Sequence, residues 1–138
     1  MPNPISVLPD GELAVIQYLR ARSQVTALVS ADRITSALAP QPTYPVVIVK
    51  RIGGLANAWQ RVDDVALQVE VIGGSRYQCH ELARTVRACI MAIFNDTVSE
   101  AVLVSASEEV GIQWMPDEVV VPPLPRYVAR YGVLIHKN

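Results

Sequence analysis

The chain reads as an α+β domain, a largely antiparallel β-sheet with two α-helices packed on one face. Three observations predict it. Segments 62–72 and 126–136 alternate apolar and polar residues with the period of two that a half-buried strand requires. Segments 11–22 and 76–94 instead repeat apolar residues at helical spacing. Between them lie glycine pairs and proline clusters, placed where strands can turn back on themselves.

Taken in order, the first helix begins after Asp10, whose carboxylate can cap the orphan backbone N–H groups. Glu12 suits the positive helix end, and Leu13, Ile16, Tyr18 and Leu19 form its apolar side. It closes near Arg22, and a short helical turn over 25–29 precedes a brief strand at 33–38. Pro40, Pro42 and Pro45 make 39–45 a loop. Segment 46–52 is β-branched and apolar on both faces at its start, which predicts a central strand. Gly53-Gly54 is read as its end and 55–61 as a connection. In 62–72, Val65, Leu67, Val69 and Val71 point to the core while Asp64, Gln68 and Glu70 point away. Gly73-Gly74 turns the chain into a capping box, Ser75 with Gln78. Cys79, Leu82, Val86, Ile90 and Ile93 then lay a helix on the sheet as far as Phe94, and Asn95-Asp96 closes it. A strand at 101–106, an irregular proline-rich stretch at 111–125 and a final strand at 126–136 complete the domain. In that last strand Tyr127, Ala129, Tyr131, Val133 and Ile135 share one side.

Composition removes several classes of function. With 138 residues the chain is expected to form one domain, 1–138, with enough core to fold without a metal or disulfide. Twelve basic residues against thirteen acidic ones give a net charge of −1, so no overall field draws the protein to nucleic acid or anionic membrane. The charged fraction, 18%, is below the roughly 25% of ordinary soluble domains. Either a rich core or apolar surface reserved for partner subunits accounts for it. Neither a secretory signal nor an apolar run near the ~20 residues of a membrane helix is visible. Cys79 and Cys89 fall ten residues apart on one predicted helix, about 15 Å, which is too far for a disulfide. They are expected to be free thiols.

Chemistry is mostly missing. Cys79, His80 and Cys89 diverge around the helix and do not make a zinc site. The sequence contains neither a Gly-x-Ser-x-Gly elbow nor a phosphate-cradling glycine loop followed by Lys. Asp63-Asp64, Glu108-Glu109 and Asp117-Glu118 are adjacent carboxylates, read as solvated edges and not as an acid/base dyad. No catalytic, cofactor or metal residue is assigned. What remains is a basic stripe, Arg76, His80, Arg84 and Arg87 on neighbouring turns of the second long helix, which is either a solvated face or a surface for a partner or for DNA in a lumen. Trp59, Trp114 and Arg61 sit in predicted loops and are candidate interface residues, since aromatics and arginine anchor binding hot spots.

The layout as a whole resembles phage tail-completion proteins, the group containing tail terminators and tail-to-head joining proteins. The matching pieces are the first helix with Leu13, Ile16 and Leu19; Arg33-Ile34 leading through the prolines into Tyr44-Pro45-Val46-Val47-Ile48-Val49; Leu67-Gln68-Val69-Glu70-Val71-Ile72; the Ser-capped helix with Glu81-Leu82-Ala83-Arg84; and the closing strand from Pro125 to Val133. Segment 111–125 is longer and richer in proline than the family pattern. The resemblance implies a non-enzymatic virion protein, assembled in the host cytoplasm, that forms a ring, usually a hexamer, at the head-proximal end of the tail tube. Its implied partners are copies of itself, the major tail tube protein, the head connector or stopper, and DNA passing through the lumen without sequence recognition. No cofactor or membrane is implied. A head-side neck protein, or a small enzyme or ligand-binding domain using the Arg84/Arg87 face, would share much of this profile.

Overall fold

A computed structural model describes residues 5–57 and 61–138. Its elements are α1 (Gly11–Arg20), α2 (Ser23–Thr26), β1 (Ile34–Thr35), β2 (Val46–Ala56), β3 (Val62–Ile72), α3 (Arg76–Met91), β4 (Phe94–Val98), β5 (Ala101–Trp114) and β6 (Arg126–Lys137). The strands form one sheet in the order β1-β2-β3-β6-β5-β4, antiparallel except for the short β1–β2 pair. The two long helices, α1 and α3, cover one face. Their buried residues join the inward rows of β2, β3, β5 and β6 in a single core. This is the α+β arrangement that the sequence periodicities predict.

Caps set both helices. The Asp10 carboxylate accepts from Leu13 N–H at 3.0 Å, and Ser75 and Gln78 exchange reciprocal bonds of 3.1 and 3.0 Å at the start of α3. The expected inward row of α3 is buried throughout. In α1 the inward face is rotated: Leu13 is half exposed, and Ala14 and Val15 take its place beside Ile16, Tyr18 and Leu19. Gly11 lets the first turn come close to the sheet, where an added Cβ would lie 2.7 Å from Val65 Cγ2, and Leu13 is left outside. The Tyr18 hydroxyl donates to the carbonyl of Cys89 at 2.6 Å, locking α1 to the end of α3.

Several boundaries differ from the sequence reading. Gly53-Gly54 does not end β2. The pairing with β3 slips at a bulge between Arg51 and Gly53 and then continues to Ala56 opposite Asp63. Gly54 has φ +106°, and a Cβ there would collide with the backbone oxygen of Asp64. The glycine therefore permits a close, bulged strand. α3 stops at Met91, and Phe94–Val98, expected to finish the helix and close it, is the edge strand β4. The strand expected over 33–38 is reduced to Ile34–Thr35. The strand expected over 101–106 runs on to Trp114, through three register irregularities. Of the irregular stretch 111–125, only the part after Trp114 leaves the sheet. It forms a hairpin arm held by the Asp117–Leu124 bridge. On the sheet's second face Leu124 packs on Val46, Ile48 and Ile72, which explains why the start of β2 is apolar on both sides.

The cysteines are free and buried, as their spacing predicts. The Cys79 thiol donates to the carbonyl of Val71 at 3.2 Å, and burial pushes its pKa up to about 11. Asp63 corrects the reading of its carboxylate pair as a solvated edge. It is 4% exposed and receives two bonds from Arg51, at 2.6 and 2.8 Å. It occupies the next inward position before Val65, where an unpaired charge would be costly, and the fork of Arg51 supplies the partner.

Candidate assembly surfaces

The basic stripe of α3 does not act as one surface. In its first turn, the Arg76 guanidinium lies 4.3 Å from the ring centre of Trp114, which in turn packs at 5.1 Å against Tyr127. His80, exposed on the next turn, has its ring centre 5.0 Å from that of Tyr127. Trp114 is therefore the end of β5 and is held by a cation–π contact and an aromatic pair, not carried on a loop. Arg87 is tied to Glu108 of β5, Nη2 to Oε2 at 2.9 Å, with Nε 2.8 Å from Oε1 but off the hydrogen-bonding axis. Glu108 is thus partnered and half-buried. Arg84 has neither an ion pair nor an aromatic partner among the described residues.

Arg84 opens onto a cleft of about 490 Å³ between α1, α2, the later turns of α3 and β4. Its walls include Tyr18, Arg22, Ala88, Cys89, Ala92 and Asp96. The Arg22 guanidinium stacks 4.5 Å over the Tyr18 ring, and its Nε is buried without a hydrogen-bond partner. Asp96 is partly occupied, accepting from the Phe94 N–H at 2.9 Å. Burial raises the pKa of Tyr18 and of Cys89 above their ordinary values, and the nearby Arg22 charge opposes both shifts. Sequence reading missed Arg22, because the cleft joins residues far apart along the chain. The only local signal was an arginine just past a helix end.

The other candidates lie elsewhere. Arg61 is exposed beside a shallow recess formed with Ser6, Leu8, Val62 and His136. Trp59 lies outside the described residues. The arm between β5 and β6 exposes Val119 and Val121 almost completely, 93% and 90%. Both sheet edges are half covered: β1 pairs only with Val47 and Ile48 of β2, and β4 only with the first five residues of β5. At the uncovered part of β2 the Arg51 N–H is taken by Glu12 at 2.8 Å. Among the described residues no three His, Cys, Asp or Glu side chains converge as a metal would require, and no helix is long and apolar enough to cross a membrane.

A family model for phage tail termination proteins matches residues 7–124. The chain belongs to that family. It is a structural component of the phage tail in the virion, not an enzyme. Comparison with curated proteins gives no match. Among solved structures, a chain from the virion of a native gene transfer agent particle superposes with a TM-score of 0.67 at 17% sequence identity, covering 91% of this chain and 94% of the other. At that identity the likeness is one of fold.

Proposed function

We propose that this tail termination protein forms a ring, of six copies by the family resemblance, on the head-proximal end of the tail tube, where it stops tube growth and offers the head its docking surface. The family match across residues 7–124 carries the reading. A fold of the same kind within a gene transfer agent virion supports it. So do the two half-covered sheet edges, since unpaired strand N–H and C=O groups are adhesive and a ring needs two different surfaces on each copy. In this reading the partners are neighbouring copies, the tail tube protein and the head connector or stopper. DNA passes through the lumen without being read, which suits a chain of net charge −1. A phage lacking the gene tests it. The expected particles are filled heads beside unattached tails of abnormal, often excessive, length. Tails of normal length with a fitted end, beside heads that leak DNA, would assign the protein to the head side of the neck.

A further inference from the structure

The cleft and the arm sit at opposite ends of α3. Trp114, at the root of the arm, packs under Arg76 in the first turn, whereas the cleft is lined by Arg84, Ala88 and Ala92 in the later turns. Twelve residues at ~1.5 Å rise separate Arg76 from Ala88 by about 18 Å. Each feature lacks what the other carries. Arg22 and Arg84 have no ion pair among the described residues, Arg22 has a buried Nε with no acceptor, and Ala88, Cys89 and Ala92 add apolar surface to the cleft lining. The arm presents Glu118, exposed and without an ion pair among the described residues, followed directly by the exposed Val119. Its base is stiffened by the Asp117–Leu124 bridge and by a bond from the Val119 N–H to the Asp117 carboxylate at 3.1 Å. A pre-ordered arm loses little entropy on docking.

We infer that the arm of one copy inserts into the α1–α3 cleft of the next, with Glu118 between Arg22 and Arg84 and Val119 against the apolar surface of Ala88, Cys89 and Ala92. The contact joins two different surfaces at opposite ends of a helix, so it propagates head to tail and closes only as a ring or continues as a filament. It rests on the ring reading above and assigns that ring its contact. Asp96 at the rim leaves the cleft with one surplus positive charge from the two arginines, enough for a single carboxylate.

The test is a charge-reversal cycle in the full chain, read by sedimentation and native mass over a wide concentration range. Arg84→Glu and Glu118→Arg are each expected to weaken self-association about tenfold or more, and their combination to restore most of it. Both positions are exposed, and circular dichroism of each variant should match the parent. A second measurement mixes Arg84→Cys chains with Glu118→Cys chains under oxidation. With Cys89, which lines the cleft, replaced by Ala in both variants, the expected product is a cross-link between unlike chains that neither variant gives alone, because the remaining native Cys79 is buried. A parent protein that associates while both reversals associate equally well, with no mixed cross-link, overturns the docking and leaves the ring standing. A parent that stays monomeric at every concentration and on isolated tail tubes overturns both.

Discussion

β3 and β5 flank the same strand, β6, and treat it differently. β3 pairs with β6 over Val62–Ile72 without a slip, from His136 to Arg126. β5 needs three register irregularities to follow the same partner from Lys137 to Tyr127. The cause is in their side chains. β3 carries a strict inward row of Val65, Leu67, Val69 and Val71, and a shift of one residue would send all of it to the wrong face. β5 keeps such a row only for Ala101 and Leu103, then passes through Ser105, Ala106, Ser107, Glu108 and Glu109, where no large apolar group fixes the phase. Register is held by bulky inward residues, and where they run out the strand bulges. β3 belongs to the folding core, and the later half of β5 lies mostly at the surface of the domain.

The sharpest way to break this contrast is to truncate one residue on each strand. Leu67→Ala, at a fully buried site, is expected to cost about 3 kcal/mol, and Ile112→Ala, only partly buried on β5, about 1 kcal/mol or less. Urea unfolding midpoints measure both, and equal losses would mean that β5 is as much core as β3. Next in size is the contrast between ion pairs. Arg51→Ala strands the buried Asp63 and should cost about 2 kcal/mol, whereas Arg87→Ala frees the more exposed Glu108 and should cost less than about 1 kcal/mol. Thermal melts of the two variants decide it.

Alkaline pH gives a smaller effect. Tyr131 faces Leu67 on one side and Glu108 on the other, and burial pushes its pKa to about 12 from 10, with Glu108 adding to the rise. Cys79 rises from 9 to about 11. In both groups the folded state favours the protonated form. Their contribution is therefore complete below pH 9 and is lost as pH climbs, first through 9 to 11 for the thiol and then through 10 to 12 for the phenol. The melting midpoint should be flat from pH 7 to 8.5 and fall by a few degrees by pH 10. A Cys79→Ala variant, less stable at neutral pH, should show a later onset of that fall. An unchanged onset would place the loss elsewhere.

The same contrast explains what could be read from the sequence. The ends of β3, the caps at Asp10 and Ser75, and the inward rows of α3 and β6 follow from periodicity and local hydrogen bonding, and each was legible. β4 was not, because Phe94-Asn95-Asp96 looks like a helix ending and becomes a strand only through pairing with β5. Gly53-Gly54 has the composition of a turn, and only Asp64 across the ladder makes it a bulge. Among the site residues, exposure of the α3 arginines could be read, but their fates could not. Trp114 claims Arg76, Glu108 claims Arg87, and the cleft claims Arg84, and each partner lies on another element. Alternation alone placed Asp63 on the inward side of β3, and that was a missed warning that a cation must reach it.

The position of β6 also governs the order in which the molecule can be completed. It is the last strand along the chain, yet it lies in the middle of the sheet, between β3 and β5. As the polypeptide leaves the ribosome, no strand pairing joins the β2–β3 pair to the β4–β5 pair until β6 emerges. Before that moment β3 and β5 each present an open inner edge, and the apolar undersides of α1 and α3 have only part of their floor. A chain without β6 therefore has two open inner edges in place of one continuous sheet, and its surfaces are finished only when that strand is in place.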